Sequence, residues 1–161
     1  DTTVNAGTLE SVGTAMSSDV SVADGATYEI NLVAAADSAT YSKIISGEGS
    51  FVKSGAGDLT FDQVHTYTGS TSISGGTLKT SGSGSLGSST ALSVASGATY
   101  EVGADEEVGS ITGSGSISLG ANQLTAGGSG RDTTFGGVIS GTGGLTKKGR
   151  GMGRARCGER E

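Results

Sequence analysis

A chain of 161 residues is long enough to bury one hydrophobic core and bounds the fold at a single domain with at most a tail. With 31 Gly, no Pro, no Trp and 4% aromatic residues, it departs from average globular composition and leaves two classes, a flexible Gly/Ser linker or an all-β repeat with frequent tight turns. Acidic residues outnumber basic ones 14 to 4 before Lys147, which excludes nucleic acid as an electrostatic partner, whereas from Lys147 onward six basic face two acidic residues.

The first elements in the chain are residues 2–9 (TTVNAGTL) and 20–30 (VSVADGATYEI). Both return in the same order, as residues 71–78 (TSISGGTL) and 92–102 (LSVASGATYEV). Residues 41–57 (YSKIISGEGSFVKSGAG) return further on, as 135–151 (FGGVISGTGGLTKKGRG). Self-similarity at such periods marks a solenoid and decides against the linker. The second module is longer than the first by about one turn of a β-solenoid, and the added stretch carries Ile111, Ile117, Leu119 and Leu124 between glycines. It reads as one whole coil inserted in register. The modules run over about 2–61 and 67–151.

Within each module apolar residues alternate with polar ones, as in Leu92 and Val94, Tyr100 and Val102, Ile117 and Leu119. Period two means short strands with one face inward. Gly75-Gly76, Ser96-Gly97 and Gly143-Gly144 supply the turns between them. A hairpin sandwich has no need for near-identical segments to return, whereas stacked parallel coils do. The expectation is a parallel β-helix of about seven coils of roughly 22 residues, a rod about 30–35 Å long, with like residues stacked in a column of Val, Ile and Leu and an occasional Phe. Residues 1–151 form that body. Residues 152–161 (MGRARCGERE) lack alternation and read as an aberrant or disordered basic tail that holds the lone Cys157.

The order of residues in these segments resembles the passenger-associated repeat of autotransporters. Ile45, Ser46, Gly47, Gly49, Lys53, Gly55 and Gly57 match its first half, and Tyr67, Thr68, Gly69, Gly76 and Leu78 its second. Ile139, Ser140, Gly141, Gly143, Lys147, Gly149 and Gly151 form a partial second copy. The resemblance implies a right-handed β-helix exported through the outer membrane by a C-terminal β-barrel translocator. The neighbouring coils and that translocator are then the expected partners, and the cell surface or exterior the expected location.

Signals for chemistry are weak. Residues 82–87 (GSGSLG) fit the dinucleotide fingerprint but precede no helix. The lone His65 reads as a loop residue leading into Thr66-Tyr67. Asp105-Glu106-Glu107 reads as a solvated turn whose side chains point in alternating directions, with weak surface calcium binding as the sharper alternative. No catalytic residue, metal or cofactor is expected, and no apolar run is long enough for direct membrane insertion. The expected role is a non-enzymatic stalk and secretion-promoting module that supports adhesion. The alternative is a binding module whose Ser/Thr-rich outer face itself contacts a host glycan or protein.

Overall fold

The structure, a computed structural model, describes residues 1–149 and the backbone of Arg156–Cys157. No helix occurs among the described residues, and the strands are two to five residues long. One sheet stacks β2 (Thr8–Val12), β4 (Thr27–Asn31), β7 (Ser50–Ser54), β9 (Thr71–Ile73), β11 (Ala91–Val94) and β14 (Ser110–Gly113). A second stacks β5 (Ser38–Tyr41), β8 (Asp58–Phe61), β10 (Thr77–Thr80), β12 (Thr99–Glu101), β15 (Ser116–Ser118), β17 (Val138–Ser140) and β19 (Arg156–Cys157). Two three-stranded sheets complete the set: β1 (Thr2–Val4), β3 (Val20–Val22) and β6 (Ile45–Gly47), then β13 (Glu106–Val108), β16 (Leu124–Ala126) and β18 (Leu145–Lys147). All pairings are parallel.

The two small sheets are the ends of one face. Between them the Thr66 and Thr68 N–H groups donate to the carbonyls of Ile45 and Gly47, and Val64 bridges Ser85. The chain therefore winds over three faces for about seven turns, the β-solenoid expected. Turn length varies, because Thr99 pairs with Ser116 while Val20 must travel much further along the chain to pair with Ile45.

The repeats do not stack like upon like. Tyr28 lies on the second face between Leu9 and Phe51, whereas its sequence counterpart Tyr100 lies on the third, between Leu78 and Ile117. Ile45 belongs to the first face and its counterpart Ile139 to the third. The stretch added in the second module is thus not a coil inserted in register. Loops of different length, such as residues 32–37, absorb the difference and move the later copy around the axis.

The core is mainly aliphatic, as expected, but it also takes in the aromatic residues. Rings of Tyr28, Tyr41, Phe51, Phe61 and Tyr67 form a connected stack, with neighbouring centroids 5.0–6.3 Å apart. All four Tyr and all three Phe are buried. Tyrosine is accommodated because its hydroxyl reaches a partner: Tyr28 meets Ser11 Oγ at 3.1 Å and Tyr41 donates to the Ser18 carbonyl at 2.8 Å. The expected irregular tail lies outside the described residues apart from Arg156–Cys157, whose backbone pairs with Val138 and Ile139.

Glycines stand where one turn touches the next. A Cβ at Gly103 would collide with the Thr80 carbonyl, whereas one at Gly128 would meet only the Glu107 carboxylate, at 3.6 Å. Gly103→Ala is expected to cost about 1–3 kcal/mol, the range for overpacking, and Gly128→Ala close to nothing. Urea midpoints of the two variants check this, and equal midpoints would contradict the close approach of the turns.

Candidate functional site: the polar interior of the solenoid

The motif residues do not converge on a cleft. Ile45, Ser46 and Gly47 make up β6, Lys53 lies in β7, and Leu78 is buried in β10. The glycines meet in pairs on adjacent turns: a Cβ at Gly69 would strike the Gly49 carbonyl, and one at Gly76 the Gly57 carbonyl. Gly55 closes its corner at φ 74° and Gly76 at φ 61°, conformations that favour glycine. Tyr67 is buried with its hydroxyl on Thr71, while Thr68 donates its N–H to Gly47. In the second copy Ile139 and Ser140 lie in β17, Gly141 follows at φ 124°, Gly143 abuts Asn122, Lys147 lies in β18 and Gly149 has φ 76°. Gly151 lies outside the described residues.

The ionisable groups of interest are inside, where sequence reading does not place them. His65 lies outside the strands, in the loop expected, but it is 2% exposed and turned inward like Tyr67. Its ring packs edge-on against Phe61, centroids 4.0 Å apart, and its Nδ1 accepts the Ile45 N–H at 3.1 Å. The ring is therefore neutral with its proton on Nε2, an atom without a hydrogen-bond partner among the described residues. Burial lowers its pKa to about 4, against a smaller opposing pull from Asp62.

Glu106 is buried in β13 instead of solvated in a turn, while its neighbours Asp105 and Glu107 point outward, the alternation expected of a strand. Oε2 accepts the Tyr100 hydroxyl at 2.7 Å and Oε1 the Leu86 N–H at 2.9 Å. Burial raises its pKa to about 7 in spite of both hydrogen bonds. Between the two sites, Thr71 and Thr90 share a hydrogen bond of 2.8 Å, and Thr90 donates to the Gly69 carbonyl at 2.7 Å.

These contacts have one purpose in common. Where the first face has no regular strand, His65 and Glu106 accept backbone N–H groups that a neighbouring carbonyl would otherwise take, so the interruption leaves those donors satisfied. Lys53, also fully buried, works from the other side and donates from Nζ to three carbonyls, those of Ser54, Gly55 and Gly75. Burial lowers its pKa, opposed by the charge of Asp58. Among the described residues no three His, Cys, Asp or Glu side chains are grouped to hold a metal ion.

The two shifted groups bias stability in opposite directions. Glu106, raised from 4.5 to about 7, contributes stability that is whole below pH 4.5 and lost as pH rises to about 7. His65, lowered from 6.5 to about 4, contributes stability that is whole above pH 6.5 and lost as pH falls to about 4. From pH 4.5 to 6.5 their effects cancel. Relative to the native chain, Glu106→Gln should therefore gain stability with rising pH across that window and His65→Asn should lose it, each by roughly 1 kcal/mol per pH unit. Denaturant midpoints at three pH values measure both slopes, and parallel profiles for the three proteins would contradict the burial of these groups.

Comparison with known proteins agrees with the geometry. The passenger-associated-transport-repeat family matches residues 51–79, from the buried Phe51 through the Gly75-Gly76 corner to β10. Over 159 residues, 94% of the chain, the sequence is 36% identical to the "Adhesin BmaC autotransporter" of Brucella suis biovar 1 (strain 1330). The chain spans 5% of the length of that curated relative. No solved structure matches. The chain thus carries a match to the passenger-associated transport repeat at residues 51–79 and, over 94% of its length, is similar to a stretch of an autotransporter adhesin.

Proposed function

We propose that this segment is a non-enzymatic stalk that promotes its own export and holds a more distal part of the passenger away from the bacterial surface. The observation that carries the reading is the unbroken stacking of turns from β2 to β14 and from β5 to β19, in which each turn uses the previous one as its template. A chain emerging through an outer-membrane barrel can therefore fold turn by turn, and each completed turn opposes its return. At about 4.8 Å per turn the seven turns add a spacer about 30–35 Å long. The neighbouring coils and a C-terminal β-barrel of the parent are the partners in this reading, and adhesion belongs to the parent.

A direct binding role for the outer face has one feature in its favour, the outward Ser72, Ser93 and Thr112 in register on the second face. Every aromatic ring lies in the core, however, so this face lacks the flat apolar surfaces on which sugars stack.

Phe51→Ala removes the ring at the centre of the aromatic stack and is expected to cost about 3–5 kcal/mol. In a bacterial host displaying the segment on a C-terminal β-barrel translocator, this variant should show less protease-accessible protein at the cell surface. Ser72→Ala, on the outer face, should be displayed as the native segment is. Native-level display of Phe51→Ala together with a lowered melting temperature would separate export from folding and overturn the proposal.

A further inference from the structure

Lys53 occupies an inward position of β7, with Ile30 of the preceding turn and Ile73 of the following turn as its Cα partners. A lysine in an aliphatic column is tolerated only if its stem packs and its ammonium finds acceptors. Here Nζ emerges at the corner after β7 and donates to the carbonyls of Ser54 at 2.7 Å, Gly55 at 3.1 Å and Gly75 at 3.2 Å. The first two belong to its own turn and the third to the next. The corner is bare of side chains: Gly55 has φ 74°, and a Cβ at Gly75 would stand 2.9 Å from the Gly55 carbonyl oxygen. Carbonyls of two successive turns are thereby left facing one cation.

The within-turn part of this arrangement recurs on another face of the prism. Lys147 is at an inward position of β18, in line with Ala126 and Val108. Its Nζ donates to the carbonyl of the next residue, Lys148, at 2.6 Å, as Lys53 does to Ser54. Two residues after each lysine stands a glycine of like conformation, φ 76° at Gly149 and 74° at Gly55. Lys147 itself is exposed, so what the two share is the local geometry and not the degree of burial.

We propose that Lys53 is a positioning residue, a corner clamp that gathers the carbonyls of its own turn and of the turn that follows, and so fixes the register in which the following turn is laid down. Among the described residues Lys147 shares only the bond within its own turn, so the two-turn clamp is assigned to Lys53. The register matters because a slip of one residue in β9 would turn Thr71 and Ile73 outward and bring Ser72 into the core. Ser74 donates its N–H to the Lys53 carbonyl at 2.9 Å, so backbone and ammonium of one residue hold the same corner. The inference concerns the fold of this segment and stands whether or not the stalk drives export.

Two measurements on the 161-residue chain test it. In the native chain labelled with nitrogen-15 and carbon-13, Lys53 Nζ should show through-hydrogen-bond couplings to the carbonyl carbons of Ser54, Gly55 and Gly75. Lys79, half exposed and paired with Glu101, should show none. Lys53→Met keeps an unbranched stem and removes the donors, and should speed amide exchange at residues 74–77 about tenfold, as for loss of a charged hydrogen bond, while leaving β15 unchanged. The absence of a coupling to Gly75, or native exchange at 74–77 in Lys53→Met, overturns the clamp. If Lys53→Met does not fold, the coupling to Gly75 decides alone, since a lysine that is merely buried gives none.

Discussion

Successive turns of this chain approach each other at the spacing of paired strands, about 4.8 Å, and at that distance the backbone of one turn is the main surface seen by the next. Any Cβ that points along the axis at a corner meets a carbonyl, which is why Gly49 lies under Gly69 and Gly57 under Gly76. The same spacing restricts the interior, where each inward residue is sandwiched between two others at nearly fixed distance. Rings fill such a column efficiently, and Phe51 and Phe61 meet across it with centroids 5.0 Å apart. The high glycine content and the buried aromatics are thus two results of one contact distance.

A ladder this continuous leaves little tolerance for irregularity, and the polar interior shows how irregularity is accommodated. Where residues 64–68 and 85–89 interrupt the first face, an imidazole and a carboxylate take the place of carbonyl acceptors. At the corner after β7 an ammonium takes the place of amide donors. Each of the three groups, His65, Glu106 and Lys53, makes at least one side-chain hydrogen bond to the main chain. Their shifted protonation equilibria are a consequence of burial and carry no implication of chemistry by themselves.

Much of the fold is legible in the sequence because period-two alternation and glycine corners are local signals. Leu92 with Val94 and Ile117 with Leu119 identify their strands without reference to any other part of the chain. The phase of one turn over another is a sum over every loop between them, and a chain whose turns differ as much as Thr99 to Ser116 and Val20 to Ile45 does not announce that sum. This is why Tyr28 and Tyr100, alike in sequence, lie on different faces. His65 and Glu106 mislead for a simpler reason, in that their residue type argues for the surface while their position argues for the core. The alternation of His65 with Tyr67 and of Glu106 with Val108 points both inward. Lys53 is visible as part of the repeat, but its third acceptor is a main-chain atom of the following turn, and a carbonyl leaves no mark in a sequence.

The displacement of repeated segments around the prism has a consequence for how such rods diversify. A strand with its glycine corner fits any of the three faces, so the heritable module is smaller than a revolution of the chain. Duplications need not preserve the angular phase of the rod to remain foldable. Each one that shifts phase by a single face also rotates everything beyond it about the long axis, changing the direction in which later segments point as well as their distance along it. Lengthening and reorientation are then two outcomes of the same genetic event.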